Sequence, residues 1–284
     1  MRKQNSGATN FYISLSKLVA MDFRNQTVWI TGASSGIGEA LAYAFAKEGA
    51  RIILSARSVS DLERVREKCV GAAGLEIFPL DIGQFDQVRE VGKQVISKVG
   101  QIDILVNNAG ISQRALAKDT VFEVDKKIID VNLLGTIAVT KAVLPSMLAR
   151  KKGHIVTVSS MVGKYGTPLR SAYSASKHGL HGFFDALRAE TYADNIRVLM
   201  VCPGFVRTSI SINALTGDGS KQNKMDEATA GGLFPDAVAQ SILKAIRGNK
   251  NEIHLAGSRE MQGLYLSRFF PNLFAKFLRK AKVT

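Results

Sequence analysis

One stretch of the sequence decides the fold: Thr31-Gly32-Ala33-Ser34-Ser35-Gly36-Ile37-Gly38. An apolar run, residues 27–30, precedes it, and an alanine-rich amphipathic stretch, residues 39–48, follows it. This order predicts a strand, a glycine-rich turn and a helix. Glycine has no Cβ, so the backbone can turn tightly and a ligand can approach it closely. Because a helix N-terminus offers free N–H groups and a positive dipole end, the turn favours a bound phosphate group.

The spacing of the glycines, Gly-x3-Gly-x-Gly, narrows the kind of phosphate site. It differs from the Gly-x-Gly-x2-Gly of the usual dinucleotide-binding turn. It is not a P-loop either, because no Lys-Ser/Thr pair follows the last glycine. A glycine-rich turn that holds no ligand is therefore the alternative that this stretch alone leaves open.

Short apolar runs alternate with longer helical patterns along the rest of the chain. The predicted strands are residues 27–31, 51–56, 76–79, 104–107, 154–159, 197–202 and 251–255. The predicted helices are residues 37–48, 60–68, 85–98, 121–150, 172–192 and 235–247. This alternation, with strands rich in Ile, Val and Leu, is typical of a doubly wound parallel sheet, here of about seven strands with helices on both faces. No Pro/Ser-rich linker divides it, so we predict a single α/β domain.

Three segments lie outside the alternation. Residues 1–26 are predicted to form an N-terminal arm, and residues 27–257 the main domain. Residues 205–233 are rich in Ser, Thr, Asn and Gly and follow the end of a predicted strand, where open α/β sheets bind ligands. We interpret them as a mobile substrate lid, with a plain surface loop as the alternative. Residues 258–284 form a basic amphipathic C-terminal tail.

Composition limits the partners and the compartment. The net charge of +14, from 38 Lys and Arg against 24 Asp and Glu, is high and indicates an anionic partner. The basic residues are not gathered with aromatic residues in one motif, so no nucleic acid is predicted. The two cysteines, Cys69 and Cys202, exclude a disulfide scaffold and favour a reducing, cytoplasmic location. No apolar run approaches about 20 residues, so no transmembrane helix is predicted.

The residues that could carry chemistry centre on Tyr173 and Lys177, which share one face of a predicted helix. A lysine ammonium beside a phenol favours the phenolate, so we expect the pKa of Tyr173 to fall. A phenol brought closer to neutrality can act as a general acid or base toward a carbonyl or alcohol. Ser160, just past a predicted strand, can bond the same substrate oxygen. A Tyr-x3-Lys pair alone is usually a solvated helix face.

Taken together, these residues resemble the short-chain dehydrogenase/reductase family. The shared elements, in the family's order and spacing, are Thr31-Gly32-x3-Gly36-Ile37-Gly38, Asn107-Asn108-Ala109-Gly110, Asn132, Ser160, Tyr173-x3-Lys177 and Pro203-Gly204-x-Val206-x-Thr208. The similarity covers about residues 27–255; it is closest to the dehydrogenase/reductase member 7 (7B-like) group and more distant from 11β-hydroxysteroid dehydrogenase. It implies a Rossmann fold and hydride transfer between a nicotinamide cofactor and a carbonyl or secondary alcohol.

The resemblance also implies roles for individual residues. Tyr173 would donate or accept the proton, and Ser160 would position the substrate oxygen. Lys177 would lower the pKa of Tyr173 and hold the nicotinamide ribose, and Asn132 would hold a water that links Lys177 to solvent. Besides Tyr173 and Lys177, the implied cofactor-binding residues are Gly32, Ser34, Ser35, Gly36, Ile37 and Gly38 at the pyrophosphate, Asp81 and Ile82 at the adenine, Asn108, Ala109 and Gly110 on the adenosine side, and Pro203, Gly204, Val206 and Thr208 at the carboxamide.

The end of the second predicted strand bears on the choice of cofactor. NAD-specific relatives usually carry an acidic residue there, which binds the ribose 2′-hydroxyl and would repel a 2′-phosphate. Here residues 51–60 contain no Asp or Glu, whereas Arg57 offers a planar cation suited to a phosphate and Ser58 adds a hydroxyl donor. We therefore predict NADP(H) rather than NAD(H), the alternative being that Arg57 is a surface arginine without a ligand.

The substrate and the partners are less closely defined. We predict an apolar, lipid-like or steroid-like carbonyl or alcohol, and family resemblance suggests a homodimer or homotetramer built on the helices of residues 121–150 and 172–192. The basic tail is either an ordinary docked helix or a contact with anionic lipid that makes the protein peripherally membrane-associated.

No metal is predicted: His178 and His181 could face together, but no further ligands stand at a useful spacing. Cys202 is interpreted as core filling.

Two rival functions remain. A non-catalytic nucleotide-binding scaffold of the same fold is disfavoured by the intact set of Asn132, Ser160, Tyr173 and Lys177. A dehydratase or epimerase is disfavoured because the sequence shows no sugar-nucleotide signature. The sequence therefore predicts an NADP(H)-dependent oxidoreductase.

Overall fold

A seven-stranded parallel sheet organises the computed structural model, which describes residues 22–281. The strand order is β3-β2-β1-β4-β5-β6-β7. The strands are β1 (Thr27–Thr31), β2 (Arg51–Ser55), β3 (Gly74–Ile77), β4 (Ile104–Asn107), β5 (Gly153–Val158), β6 (Ile196–Pro203) and β7 (Glu252–Leu255). The predicted fold class, one doubly wound α/β domain with about seven strands, is confirmed.

The α-helices cover both faces of this sheet. They are α1 (Gly36–Lys47), α2 (Val59–Lys68), α3 (Phe85–Val99), α4 (Phe122–Ile129), α5 (Thr136–Arg150), α6 (Ser171–Glu190), α7 (Glu227–Ala230), α8 (Pro235–Arg247), α9 (Ser258–Phe269) and α10 (Pro271–Leu278). One buried cluster joins α1 and α8 to one face, and a second joins α3, α5 and α6 to the other. Side chains along β1 alternate between the two faces of the sheet. Val28 and Ile30 therefore belong to the first cluster, and Trp29 belongs to the second.

The chain changes direction across the sheet at β1. This strand pairs with β2 on one side and β4 on the other, so that Thr31 lies beside Ser55 and Ile30 beside Val106. The helix after β1, α1, lies on one face of the sheet, and α5, which follows β4, lies on the other, so the chain diverges at the carboxyl edge and borders a crevice there. Open α/β sheets bind ligands at such a switch point.

The predicted helix over residues 121–150 is interrupted. A π-helical segment, Asp130–Gly135, separates α4 from α5. Two contacts accompany the wider turn: the Thr136 hydroxyl donates to the Asn132 carbonyl at 2.8 Å, and a Cβ at Gly135 would collide with the Ile82 carbonyl. Single π-turns inside α-helices are frequent at functional sites, and this one places the Asn132 side chain in the interior.

The same stretch is the one helix in residues 22–281 that is long and apolar enough, by length and composition alone, to cross a membrane. Sequence reasoning, which expected no such segment, counted only uninterrupted apolar runs. In the structure Val139, Val143 and Met147 are fully buried in the cluster against the sheet. The core helices of globular proteins also meet these criteria of length and composition. This helix packs against the sheet in the way that a core helix does.

An edge-on aromatic pair packs each end of the described chain against the rest of the domain. Most of the predicted arm, residues 1–21, lies outside the described residues, but Phe23 is fully buried with its ring edge-on to Phe45 at 5.1 Å between centroids. At the other end, α9 and α10 follow β7, and Phe274 of α10 packs edge-on against Tyr165 at 5.4 Å.

Candidate active site

The glycine-rich turn has a backbone that other residues could not adopt without strain. Gly32 and Gly36 have φ angles of +63° and +57°, in the left-handed region that favours glycine. A Cβ on Gly38 would collide with the Gly32 carbonyl, and one on Gly32 would lie 2.7 Å from the Ala109 Cα. The turn is therefore packed closely against both α1 and the end of β4.

Asn108 fixes the turn in place. Its Nδ2 donates to the carbonyl oxygens of Thr31 and Gly32 at 3.1 and 3.0 Å, and its backbone N–H donates to Thr31 Oγ1 at 3.1 Å. The Asn107-Asn108-Ala109-Gly110 stretch thus supports the turn from the neighbouring strand. A single amide side chain holds together the two loops that border the crevice.

The turn fits the pyrophosphate of a dinucleotide. Ser35 precedes α1 and, within residues 22–281, makes no side-chain capping hydrogen bond, so first-turn N–H groups of the helix remain for an anion. Thr208, near the start of residues 205–233, lies over the turn, since a Cβ on Gly36 would be 2.8 Å from Thr208 Cγ2. The space above the turn is bounded by glycine backbone and a small polar side chain.

Tyr173, Ser160 and Lys177 come together on the other side of the crevice, at the start of α6 and the end of β5. Ser160 is close enough to Tyr173 to lower the pKa of its phenol, and the Ser160 Oγ donates to the Pro203 carbonyl at 3.4 Å. Lys177 Nζ donates to the Val158 carbonyl at 2.8 Å and lies 5.8 Å from the centre of the Tyr173 ring. The tyrosine and lysine are buried and the serine is partly exposed.

The expected lowering of the Tyr173 pKa by Lys177 is wrong for this arrangement. Burial raises the pKa of Tyr173 above its usual value, and the groups that oppose this rise are Arg114, Arg170 and the hydrogen bond with Ser160. Burial also lowers the pKa of Lys177 to about 8. Sequence spacing gave the right neighbours for the phenol but missed the cost of burying its anion.

Asn132 uses its whole side chain to join a loop to α6. Its Oδ1 accepts from Ile111 N–H at 2.8 Å, and its Nδ2 donates to the Ile111 carbonyl at 2.9 Å and to Ser176 Oγ at 3.1 Å. A Cβ on Gly110 would lie 3.1 Å from Asn132 Oδ1 and 3.7 Å from Lys177 Nζ. The asparagine therefore lies beside the lysine; the water predicted to join them stays a prediction.

The residues predicted for the adenosine end lie after β2 and β3. Arg57 is exposed, and its side chain makes no hydrogen bond or ion pair within the described part of the chain. Ser58 caps α2 by accepting from Asp61 N–H at 3.3 Å. Asp81 Oδ1 accepts from Gly83 N–H at 3.0 Å in the loop that follows β3, and Ile82 beside it is buried.

Comparison with known proteins shows which family the chain belongs to. Residues 26–218 match the family model for the short chain dehydrogenases. The chain belongs to this family. A "Dehydrogenase/reductase SDR family protein 7-like" of Anopheles gambiae is 44% identical over 267 residues, covering 92% of this chain and 84% of that protein. A "Dehydrogenase/reductase SDR family member 7B" of Mus musculus is 38% identical over 260 residues, covering 90% and 80%.

Solved structures resemble this short-chain dehydrogenase over most of its length. An alcohol dehydrogenase from Thermococcus sibiricus, complexed with 5-hydroxy-NADP, has a TM-score of 0.70 and 29% identity, covering 82% of this chain and 96% of its own. A short chain dehydrogenase/reductase from Burkholderia phymatum in complex with NAD has a TM-score of 0.79 over 89% and 96% of the two chains. At 21% identity, the second likeness shows the fold alone.

Sequence reasoning missed three charged residues of this short-chain dehydrogenase. Arg114, Arg170 and Asp226 are buried together, although they come from a loop, the residue before α6 and the lid. The signal was weak: an aspartate in a polar segment and two arginines in a basic chain look like ordinary surface residues. Their burial follows from tertiary contacts, which no local pattern reveals.

A second polar group lies on the same face of α6 as Lys177, one turn further along the helix. It consists of His181, Cys202 and Glu252, whose possible ligand atoms all lie within 4.8 Å of one another. The spacing of the histidines in the sequence did not predict this group. Lys164 Nζ already pairs with Glu252 at 2.6 Å, and burial raises the pKa of Cys202 to about 12 and lowers that of His181 to about 4. The Lys164 ammonium and the protonated Cys202 thiol oppose a bound cation, whereas the neutral His181 imidazole does not. We therefore interpret the group as a polar cluster closed by the ion pair of Lys164 with Glu252.

Proposed function

We propose that this short-chain dehydrogenase is an NADP(H)-dependent oxidoreductase that interconverts a carbonyl and a secondary alcohol on an apolar substrate. The observation that supports this most is the convergence of the buried Tyr173 with Ser160 and Lys177, whose Nζ lies 5.8 Å from the centre of the Tyr173 ring, across the crevice from a turn that fits a pyrophosphate. A proton donor and an anion site on the two sides of one crevice suit hydride transfer. The bound cofactor would supply or accept the hydride.

The chain's own residues would handle the proton and the placement of the substrate. In the reductive direction Tyr173 would donate its hydroxyl proton to the substrate oxygen, while Ser160 donates a hydrogen bond to that same oxygen. Lys177 would hold the ribose next to the reacting carbon. Asn132 would keep the loop after β4 against α6, so that Lys177 is held in place.

The Tyr173→Phe variant tests this assignment. It should retain cofactor binding, because the ring and its packing remain, and lose turnover by about 10²–10⁴-fold, because the proton donor is gone. The measurement is cofactor-dependent turnover on a panel of ketones that runs from lipid-like and steroid-like to polar compounds, with cofactor affinity from fluorescence titration.

Tyr192→Phe is the matched control, since Tyr192 is exposed in the short 3-10 turn just after the same helix. Near-normal turnover by Tyr173→Phe would refute the role of this hydroxyl. A wild-type chain that binds cofactor but turns over nothing in the panel would support the non-catalytic scaffold instead. A preference for the polar ketones would contradict the apolar substrate.

The preference for NADP(H) rests on the surroundings of Arg57. Residues 51–60 carry no acid, Arg57 is exposed, and Ser58 stands at the N-terminus of α2, a ten-residue helix whose dipole favours an anion. Of the two structural relatives above, the one from Thermococcus sibiricus carries an NADP derivative and the one from Burkholderia phymatum carries NAD. The proposed preference is therefore supported by the residues around Arg57 and by the NADP derivative in the relative from Thermococcus sibiricus.

Arg57→Ala should raise the Michaelis constant for NADPH about tenfold or more and leave that for NADH nearly unchanged. One charge-assisted hydrogen bond contributes about 1.5–3 kcal/mol. Steady-state kinetics with both cofactors measures this, with Arg66→Ala as control, because Arg66 is on the same helix and pairs with Glu63. Equal use of NADH and NADPH by the wild-type chain would contradict the proposal.

We also propose a homodimer or homotetramer that pairs α4, α5 and α6 with a second copy. The family resemblance suggests it, and Phe122 and Leu134 are large apolar residues exposed on this part of the chain. Light scattering on the purified protein should give a mass of two or four chains, and a monomeric mass at micromolar concentration would refute it.

The C-terminal helices present a surface suited to anionic lipid, and we propose peripheral contact with such a membrane. Phe270, Leu273 and Phe277 lie on one face of α10 and are 57–62% exposed, while Phe274 points inward. Residues 261–284 contain five Lys or Arg and no Asp or Glu. Exposed apolar side chains among cations are the pattern of a helix that lies on an acidic membrane.

Vesicle sedimentation tests this surface without removing α9 or α10. Lys276→Gln combined with Arg279→Gln should reduce binding to vesicles that contain phosphatidylserine by about tenfold or more at low salt, since each cation contributes about 1 kcal/mol. Binding should fall at high salt. Lys93→Gln combined with Lys98→Gln, which removes two exposed cations of α3, is the control. A wild-type chain that ignores these vesicles at low salt would refute the proposal.

A further inference from the structure

A buried cluster of three charges lies beside Tyr173. The side chains of Arg114, Arg170 and Asp226 are only 6%, 5% and 3% exposed. Arg114 Nε and Nη2 donate to Asp226 Oδ2 at 2.8 and 2.5 Å, and Arg170 Nη2 lies 3.6 Å from the same oxygen. Within the described residues, two guanidinium groups thus share one carboxylate oxygen in the interior.

The cluster joins the lid to the two loops that border the substrate side of Tyr173. Arg114 belongs to the loop after β4, Arg170 precedes α6, and Asp226 comes from the lid. The backbones follow the same pattern, because Gln113 forms a parallel bridge with Leu215 of the lid and Ala115 forms one with Arg170. Asp226 is thus the charged contact of a lid whose backbone is already seated on the first loop.

Each member of the cluster depends on the others for its burial. Arg114 Nη1 donates to Ser112 Oγ and to the Gln113 carbonyl, and Asp226 Oδ1 accepts from Gln222 Nε2 at 2.9 Å. Burial opposes ionisation of Asp226, yet the hydrogen bonds and charges of the arginines hold the pKa of its carboxyl below the usual range. Removing one partner of such a group leaves an uncompensated buried charge.

The cluster is also near enough to act on the phenol. Arg170 is the N-cap of the same helix, three residues before Tyr173, and Leu215 of the lid belongs to the same buried cluster as Tyr173. Gln113, the neighbour of Arg114, accepts through Oε1 from the N–H of Ala172, the neighbour of Tyr173, at 3.0 Å. The groups that face Tyr173 are Ser160, Lys177 and the two arginines. The charges of Arg114 and Arg170 lower the pKa of Tyr173 against the effect of burial.

We propose that Arg114 and Arg170 are positioning residues that stabilise the anion of Tyr173, and that Asp226 of the lid offsets part of their charge. Seating of the lid and the acid strength of the proton donor are then coupled through one ion cluster. This inference rests on the proposed function for the role of Tyr173, but the cluster itself can be tested without turnover.

Two substitutions should move the same titration in opposite directions. Asp226→Asn keeps the size of the side chain and removes the anion, so the pKa of Tyr173 should fall by about one unit. Arg114→Gln removes a cation, so it should rise by a similar amount. In the reductive direction the alkaline limb of the kcat/KM profile should move to lower pH in the first variant and to higher pH in the second.

Asp218→Asn is the matched control for charge, because Asp218 is an exposed lid carboxylate bonded to Thr216 and Ser220; it should leave the profile unchanged. Arg114→Lys keeps the charge but loses the pair of hydrogen bonds from Nε and Nη2 to Asp226. It should therefore keep the wild-type pKa of Tyr173 while loosening the lid. Trypsin cleavage after Lys221 and Lys224 reports the lid: it should accelerate in Asp226→Asn and Arg114→Lys but not in Asp218→Asn.

A purely structural cluster predicts a different set of results. Loss of turnover in both variants with an unmoved pH profile, or shifts of the same sign, would overturn the coupling. Tyrosinate absorbance near 295 nm, compared with that of Tyr173→Phe, gives the same pKa without substrate. If the wild-type chain reduces no carbonyl, the proposed function fails, whereas this titration still decides whether the cluster acts on Tyr173.

Discussion

The close packing of β1, α1 and the end of β4 is the constraint on which the rest of the structure depends. Gly38 leaves no room for a Cβ over the Gly32 carbonyl, and Asn108 bonds that carbonyl from the next strand. The helix can therefore begin directly at the sheet edge, with its N-terminus aimed into the crevice. The position of the crevice then follows from the strand order, because β1 is the strand from which the chain leaves in both directions.

The proton donor is subject to two opposing effects. Burial among Ala172, Val124 and Leu215 excludes water from the phenol and resists its ionisation. Cations and a serine hydroxyl oppose this effect, and they come from three different segments of the chain. A phenol balanced in this way responds to small changes in its surroundings, because interactions between charges are stronger where water is excluded.

The fold could be predicted from sequence because its signals are local. Each strand from Thr27–Thr31 to Glu252–Leu255 is a short apolar run, and the predicted and observed bounds differ by only a few residues. The interruption at Asp130–Gly135 was missed, because a π-turn depends on the packing of Gly135 on Ile82 and leaves the helical pattern intact. The ion cluster was missed for the same reason, since Arg114, Arg170 and Asp226 meet only in the folded chain.

The π-helical segment has a consequence for how this chain can change. Each residue of an α-helix turns the next by about 100°, so a segment with one residue more per turn shifts the phase of everything that follows it. Removing a residue between Asp130 and Gly135 would restore a regular helix and rotate either Asn132 out of the interior or the buried row Val139, Val143 and Met147 away from the sheet. The number of residues between α4 and α5 is therefore fixed by two requirements that meet in one turn. The exposed side of that turn can therefore tolerate substitutions, whereas the turn cannot tolerate insertions or deletions.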